Sequence, residues 1–377
     1  MNLFKNRAAF RRGAVGAVLG SMVLSASFVT LGATAPAGAD SSSSSIPAAV
    51  SLLKQYEQRP QHIQVTKDVG KAIPTGKTLD WVVCGSPLCT VLTPALSSAA
   101  AALGWKVVAI PGGLTPETIL DAWNQAVANH PDAVMGSGFP AAVFQPAIDK
   151  LKAENIPVIN GFTTDKPGNG VDAEIVSLPS EYKGQGKGYA AYTVGTMGKK
   201  LNALFVYGST FQADQYLKAG YEAEQKKLCP SCGFSALNVP ESDVGSTLPS
   251  VITAYLNSHP QINFLVLGEG SFETGIPQAL QTAGLSSKVK VISQYPTQSS
   301  VQDLSSGKTS ALVTVEQSDA MWLYVDALAR IFTGQSATPS EASSPVWVVT
   351  QKTANQLTSP YYVVPNYQSQ FKKLWGK

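Results

Sequence analysis

The chain has 377 residues, and 44% of them are hydrophobic, which is enough apolar material for a sizeable core. The formal net charge of +3 comes from the N-terminus, because residues 1–39 carry four basic and no acidic residues and the remainder has a net charge of about −1. The composition therefore gives no indication of nucleic-acid binding. The length that follows the N-terminal segment is too great for one ordinary core and predicts two lobes.

The first 39 residues have the pattern of a secretory signal peptide. Basic residues precede the apolar stretch Ala14–Leu31, and the small residues of Ala35–Ala39 offer a cleavage site before Asp40. The alternative is an uncleaved membrane anchor, because the apolar stretch is nearly long enough to span a bilayer. The small-residue site favours cleavage and therefore export, with the serine run 41–45 as a flexible leader.

Four cysteines fall into two close pairs, Cys84 with Cys89 and Cys229 with Cys232. Outside the cytoplasm such pairs predict two small-loop disulfides. A redox site or a zinc site is a weaker interpretation, since Cys229 is predicted to follow a helix rather than to open one and no histidine lies near either pair. Because the first cysteine is Cys84, no cysteine near the cleavage site is available to carry a lipid.

From residue 77 onward, short apolar runs alternate with amphipathic helical stretches. The predicted strands are Asp80–Cys84, Lys106–Ile110, Ala133–Met135 and Val158–Ile159, and the predicted helices are Leu92–Leu103, Pro116–Asn129 and Pro140–Asn155. This alternation predicts βαβ units and a parallel sheet, and therefore an α/β fold.

The same order of motifs then occurs a second time, at an offset that drifts from 123 to 133 residues. The matched pairs are Val83–Ser86 with Val206–Ser209, Asn129–Pro131 with Ser258–Pro260, Gly136–Phe139 with Gly268–Phe272, and Pro157–Phe162 with Lys290–Tyr295. Four matches in one order predict two similar doubly wound, Rossmann-like lobes. Ligands of such sheets bind beyond the carboxyl ends of the strands, so the cleft between the lobes is the expected site.

Three stretches resemble the type I periplasmic binding proteins, in the branch of ribose- and galactose-binding proteins. They are Asp80–Ser86, Ser177–Gly188 and Ser306–Gln317, the last followed by the helix Asp319–Phe332 and Gly334. The resemblance covers roughly residues 77–349. It implies a monomer that closes on one small solute and delivers it to a membrane ABC permease, without catalysis, metal, cofactor or nucleic acid. Related repressors share this core but carry a helix-turn-helix ahead of it, whereas this chain carries an export signal.

The resemblance also implies three crossings of the chain between the lobes, expected near Pro179, Gln317 and Ser344. The predicted divisions are a signal peptide 1–39, an extension 40–76, an N-terminal lobe 77–179 with 318–344, a C-terminal lobe 180–317 with 345–365, and a tail 366–377. The extension and the stretch after residue 354 have no counterpart in the expected core, although the latter could strap across the hinge.

Aromatic and polar side chains recur at the predicted strand ends. The aromatic candidates for ligand binding are Phe139, Phe162, Phe211, Phe272 and Tyr295, whose rings could stack on a sugar face or a cation. The polar candidates are Ser86, Ser137, Asn160, Gln212, Glu269, Ser271 and Gln317. For any single ring, packing into its own lobe is a nearly equal alternative.

Two positions depart from the sugar-binding pattern. Where that branch often has an Asp-Arg pair after the fourth strand, this chain has Asn160 and Phe162, and where the branch has an arginine at the start of the second lobe, this chain has Gln212 and Ala213. The predicted cleft thus holds few charges and several rings. A less polar, aromatic or cationic solute is therefore a credible alternative to a simple sugar.

Other interpretations of the chain have less support. The glycine-rich stretch Gly184–Gly188 lacks the spacing of a phosphate-binding loop and is better explained by close helix packing. His130 and His259 occupy equivalent places before strands and are predicted to cap helix ends. An exported hydrolase or transferase that uses the same cleft, or a ligand-sensing subunit of a membrane receptor, remains as the alternative function.

Overall fold

The computed structural model describes residues 46–377 apart from 210, 316 and 360, and omits the side chains of residues 87, 88, 90 and 91. The predicted signal peptide and the serine run lie outside the described residues. Residues 44–377 cluster into one compact unit. Within the described part, none of the helices combines the length and the apolar character needed to cross a membrane.

The first sheet has five parallel strands in the order β2-β1-β3-β4-β5. Its strands are β1 (Thr78–Cys84), β2 (Lys106–Gly113), β3 (Ala133–Gly136), β4 (Val158–Gly161) and β5 (Ala173–Ile175). Every residue of β3, β4 and β5 is buried, as expected for parallel strands that helices cover on both faces.

The second sheet has six strands in the order β7-β6-β8-β9-β10-β11, and only β11 is antiparallel. Its strands are β6 (Asn202–Gly208), β7 (Gly233–Val239), β8 (Phe264–Leu267), β9 (Lys290–Gln294), β10 (Ala311–Val315) and β11 (Val346–Thr350). The first five strands repeat the order of the first sheet, which confirms the prediction of two α/β lobes with one topology.

Eleven α-helices are present among the described residues. They are α1 (Pro47–Tyr56), α2 (Pro87–Ala102), α3 (Pro116–Asn129), α4 (Gln145–Ala153), α5 (Pro179–Met197), α6 (Gln212–Leu228), α7 (Leu248–Ser258), α8 (Ile276–Thr282), α9 (Gln298–Ser305), α10 (Gln317–Phe332) and α11 (Tyr367–Leu374).

Local sequence explains where some of these helices begin and end. Helix α3 has the predicted bounds because Thr115 and Thr118 form a capping box, Pro116 occupies the first turn and His130 ends the helix in a left-handed conformation. His259 likewise follows the last residue of α7. The predicted helix over 140–155 is instead a 3₁₀ turn, Ala141–Phe144, followed by α4.

Helices α5 and α6 pack closely because glycines face backbone at their contact. A Cβ atom at Gly186 would lie 2.3 Å from the Leu217 carbonyl oxygen, and one at Gly220 would lie 2.4 Å from the Lys183 carbonyl oxygen. The close-packing interpretation of the glycine-rich stretch is therefore confirmed.

Both predicted disulfides are present. Cys84 at the end of β1 bonds to Cys89 in the first turns of α2. Cys229 and Cys232 bond to each other between the end of α6 and the start of β7.

The chain leaves the first sheet after β5 and enters α5, which packs against β10 and β11 of the second. It returns between β10 and α10, since α10 packs against α2, β4 and β5. It crosses again between residue 340 and β11. The first passage lies at residues 176–178, the second between β10 and α10, and the third at residues 341–345.

Both terminal segments are integral to the packing, which the sequence did not predict. Helix α1 packs on α5 and β11 beside the second sheet, and Ala49 is fully buried there. Farther along, the Val69 amide donates to the Leu374 carbonyl, and Val65 and Val69 are buried in the core that contains α10. Residues 46–75 therefore run from one lobe to the other.

The C-terminal segment also runs from one lobe to the other. Leu357 and Val363 belong to a small core with Trp347 of β11. The Trp375 indole stacks on Trp322 of α10 at 5.2 Å and donates to the Asp326 carboxylate at 2.7 Å. The stretch after residue 354 thus lies across both lobes.

Arg59 joins these two terminal segments. Its guanidinium donates to the carbonyls of Val363 at 2.8 Å, Tyr362 at 3.1 Å and Gln356 at 3.2 Å, and lies 4.9 Å above the Trp347 ring. Arg59→Ala removes the donors from all three carbonyls, so we expect about 2 kcal/mol or more of destabilisation in urea unfolding. Lys54→Ala, an exposed substitution on α1, should change stability by less than about 0.5 kcal/mol. Equal effects of the two substitutions would contradict this role of Arg59.

Candidate functional site

A cavity of about 60 Å³ lies where the carboxyl ends of strands from both sheets meet. Its walls come from residues that follow β1, β3 and β4 on one side and β6, β8, β9 and β10 on the other. This is the edge at which open parallel sheets bind ligands.

Six of the predicted ligand-binding residues line this cavity. They are Ser86, Phe162, Phe211, Glu269, Tyr295 and Gln317. The remaining six do not line it, and each has another role in the structure.

Three of the remaining residues lie just behind the wall on the first lobe. Ser137 Oγ lies 3.7 Å from Cys89 Sγ. Phe139 packs edge-on against Phe211 at 6.0 Å. Asn160 is fully buried and donates to the Phe139 carbonyl and to Glu174.

The other three belong to the second lobe. Gln212 is exposed and accepts a hydrogen bond from Thr164. Ser271 donates to Glu269 at 2.8 Å and lines a neighbouring cavity of about 560 Å³. Phe272 is fully buried within the hydrophobic core of the second sheet, so for this ring the alternative of packing into its own lobe is the observed one.

Phe162 and Tyr295 occupy equivalent positions of the repeat and share an uncommon backbone conformation. Their φ angles are 53° and 54°, in the left-handed region that is costly for a residue with a bulky side chain. In each lobe the turn after the fourth strand thus brings an aromatic residue to the cavity wall.

Contacts between the two lobes hold the cavity closed on one side. Ser86 Oγ donates to Glu269 Oε1 at 3.2 Å, and Thr164 donates to Gln212. Because these residues follow strands of different sheets, the described arrangement is the closed one.

Sequence reasoning missed several lining residues, of which Tyr182, Gln185, Asp214 and Gln294 are polar. Gln294 Nε2 donates to Gln185 Oε1 at 3.0 Å, and Gln185 is 1% exposed. Gln185 lies within the glycine-rich stretch, whose sequence predicts helix packing and gives no separate signal for a residue that lines the cavity. Asp214 lies two residues beyond Gln212, in the first turn of α6.

Three carboxyl groups meet beside the cavity. Oxygen atoms of Asp214, Glu241 and Glu269 lie within 4.8 Å of one another. Burial, and then repulsion from Glu269 and Glu241, raises the pKa of Asp214 well above its usual value. Burial and the Glu269 charge raise the pKa of Glu241 to about 8, and burial also raises the pKa of Glu269. The cavity is therefore acidic, with carboxyls that resist ionisation.

Residues 84–336 match the family model described as periplasmic binding protein domain, which is well over half of the chain. The chain belongs to this family. The matched range contains most of the two sheets and every predicted ligand-binding residue.

Solved structures of other periplasmic binding proteins share this fold. An ABC transporter solute-binding protein from Agrobacterium vitis, bound with α-D-tagatopyranose, aligns with a TM-score of 0.65 at 19% identity over 76% of this chain and 97% of that one. A periplasmic solute-binding protein from Actinobacillus succinogenes with bound D-allose aligns with a TM-score of 0.66 at 15% identity over 74% and 100%. The arabinose-binding protein AraP from Geobacillus stearothermophilus aligns with a TM-score of 0.61 at 14% identity, over 76% of this chain and 100% of that one.

None of the curated proteins matches the chain. At these identities the structural likeness shows the fold of a periplasmic binding protein and leaves the solute to be argued from the cavity.

This periplasmic binding protein also buries carboxyl groups away from Asp214. Burial raises the pKa values of Glu174, Glu181 and Glu273 to about 7. Glu181 is located at a lobe crossing, where its Oε1 accepts from the Ser344 amide at 2.7 Å. Each group binds its proton more tightly in the folded than in the unfolded protein.

These shifts predict that the protein is most stable at mildly acidic pH. For Glu174, Glu181, Glu241 and Glu273 the folded pKa of about 7 to 8 exceeds the unfolded value of 4.5, so their contribution is full below pH 4.5 and is lost as pH rises through 7 to 8. The melting temperature should therefore fall by several degrees between about pH 5.5 and about pH 8.5.

Glu181→Gln keeps an acceptor for the Ser344 amide but cannot ionise, so it should reduce this fall. The exposed Glu222→Gln on α6 is the control and should leave the fall unchanged. A melting temperature that rises over the same pH range in the unsubstituted protein would contradict the assignment.

Proposed function

We propose that this protein captures a small sugar-like solute in the cavity between its lobes and delivers it to a membrane ABC permease. The observation that carries the proposal is the convergence of rings and hydrogen-bonding side chains from both lobes on one cavity at the strand ends. A solute there contacts both lobes at once, and only such contacts favour the closed arrangement over an open one.

The chemistry of the wall suits a molecule with both a flat face and polar edges. Phe162, Phe211 and Tyr295 offer rings for stacking, while Ser86 and Gln317 offer hydrogen bonds. The solved relatives bound to tagatopyranose and allose carry sugars, which supports a sugar-like solute for this chain as well.

The moving bodies that we propose are residues 77–179 with 318–344 and residues 180–317 with 345–365. The hinge would then consist of the passages at 176–178, between β10 and α10, and at 341–345. The terminal segments at 46–75 and 354–377 touch both bodies, so they must bend whenever the cleft opens.

Further parts of the proposal concern the cellular context. The predicted signal peptide supports export to the periplasm or the cell surface, and Cys84 as the first cysteine argues against an N-terminal lipid. We infer a monomer that binds without catalysis, cofactor or metal. An exported hydrolase is the alternative that the same experiment addresses.

A screen of pentoses, hexoses, polyols, amines and small aromatic acids by thermal shift should identify a solute that raises the melting temperature, because a ligand of the native state stabilises it by mass action. Phe211→Ala should then weaken binding in isothermal titration calorimetry by about tenfold or more, through loss of buried aromatic contact.

Two matched substitutions serve as controls. Tyr255→Ala removes a partly exposed ring on α7, away from the cavity, and should leave affinity unchanged. Phe272→Ala should instead lower stability by about 3–5 kcal/mol, because it leaves a hole in the core of the second sheet. If no compound binds and ester or glycoside probes are turned over, the transport function is wrong and the hydrolase takes its place.

A further inference from the structure

The carboxyl cluster of Asp214, Glu241 and Glu269 has more acceptors than donors. Glu269 Oε1 receives hydrogen bonds from Ser86 and Ser271, and Asp214 Oδ2 receives one from the Gly208 amide at 3.3 Å. Glu269 Oε2 and Glu241 Oε1 are buried and receive no donor from another described residue, and a hydrogen bond between these two carboxyl groups requires a proton on one of them. At least one further proton or positive charge is needed at this corner.

The described part of the protein supplies no positive side chain for this purpose. The groups that act on the three carboxyls are the carboxyls themselves, serine hydroxyls and a backbone amide, with no lysine, arginine or histidine among them. Lys218 is located one turn beyond Asp214 on α6 but pairs with Glu222 and lies over the rings of Tyr207 and Phe234.

A second, independent feature of the cavity indicates a ligand with acceptors. Gln185 lines the same cavity, is 1% exposed, and its Nε2 has no acceptor among the described residues. Gln317 lines the same cavity, and its side chain hydrogen-bonds to Tyr295. A buried amide donor costs free energy unless a ligand oxygen accepts from it.

Together the carboxyl cluster and the Gln185 amide define complementary requirements. A solute that satisfies both has a cationic donor near Asp214 and Glu269 and a hydroxyl or carbonyl oxygen near Gln185. Phe211 directly precedes α6, which carries Asp214, and lines the same cavity. The face of its ring can further stabilise a cation.

We propose that the solute carries a protonated amino group together with hydroxyl groups, as in an amino sugar or an amino polyol, and that its ammonium binds between Asp214 and Glu269. This proposal rests on the proposed function and names the class of its solute. An ammonium has three donors and no acceptor, which matches these carboxyl groups once they are ionised, because a carboxylate only accepts.

A metal ion satisfies fewer of these requirements. Calcium takes six to eight oxygen ligands, whereas the cluster consists of three carboxyl groups and Glu241 does not line the cavity. A metal at the carboxyls also leaves Gln185 Nε2 without an acceptor.

The experiment compares matched ligands on the purified protein by isothermal titration calorimetry. The series are glucose, glucosamine and N-acetylglucosamine, the corresponding galactose compounds, and sorbitol with 1-amino-1-deoxysorbitol. In at least one series we expect the free amine to bind ten times or more tightly than its neutral partners. Calcium chloride alone should neither bind nor stabilise.

Asp214→Asn should abolish most of this preference, while Glu222→Gln, which removes an exposed carboxylate from the same helix, should preserve it. Titration of the unsubstituted protein in buffers of different ionisation enthalpy gives a readout that needs no variant. An ammonium that enters the cluster should displace protons, and a neutral sugar should displace none.

Each other outcome overturns the inference in a distinct way. If neutral sugars bind as tightly as the amines, the proposed function stands and the inference of a cationic solute is wrong. If calcium binds alone, the carboxyl cluster is a metal site rather than an ammonium site. If no series binds and the wider screen gives no ligand, the proposed function fails as well.

Discussion

Parallel strands that are joined by helices all end at the same edge of their sheet, and this constraint organises the whole molecule. The inner strands β3, β4, β8, β9 and β10 are buried along almost their entire length, so they tolerate few polar side chains. Polar and ring-bearing residues therefore concentrate in the turns that follow the strands. Because the carboxyl ends of strands from both sheets face the cavity, the turns after seven strands contribute to one site.

The electrostatics of the cavity follow from what this chain lacks at those turns. Gln212 and Ala213 occupy the start of α6, where the resembled sugar-binding proteins often have an arginine. Asp214 is then half-buried next to Glu269 and Glu241, with no basic neighbour acting on it among the described residues. In a medium that solvates charge poorly, carboxyls in this arrangement keep their protons or attract a cation. Contacts between the two lobes, above all the hydrogen bond from Ser86 to Glu269, shape the cavity and also shield these carboxyl groups from water.

The two terminal segments add further connections between the lobes. Beside the three passages of the chain between the sheets, residues 46–75 and 354–377 each contact both lobes. Arg59 ties one segment to the other, and Trp375 anchors the second on α10 through an indole hydrogen bond and a stacked ring. The proposed opening of the cleft therefore requires five stretches of backbone to bend.

The sequence by itself determined the features that depend on local pattern. The alternation of apolar runs and amphipathic stretches predicted parallel sheets, the four repeated motifs predicted two lobes of one topology, and the cysteine spacing predicted both disulfides. Six of twelve predicted site residues line the cavity, because a residue directly after a strand must lie at the ligand edge. Only the tertiary structure decided which of these side chains point inward. Phe272 follows its strand as Phe162 does, yet it packs into the core, whereas Phe162 lines the cavity. Gln185 and Asp214 reach the cavity from helices, and Glu241 meets Asp214 from a distant turn. Contacts between residues far apart in the chain leave no periodic signal in the sequence.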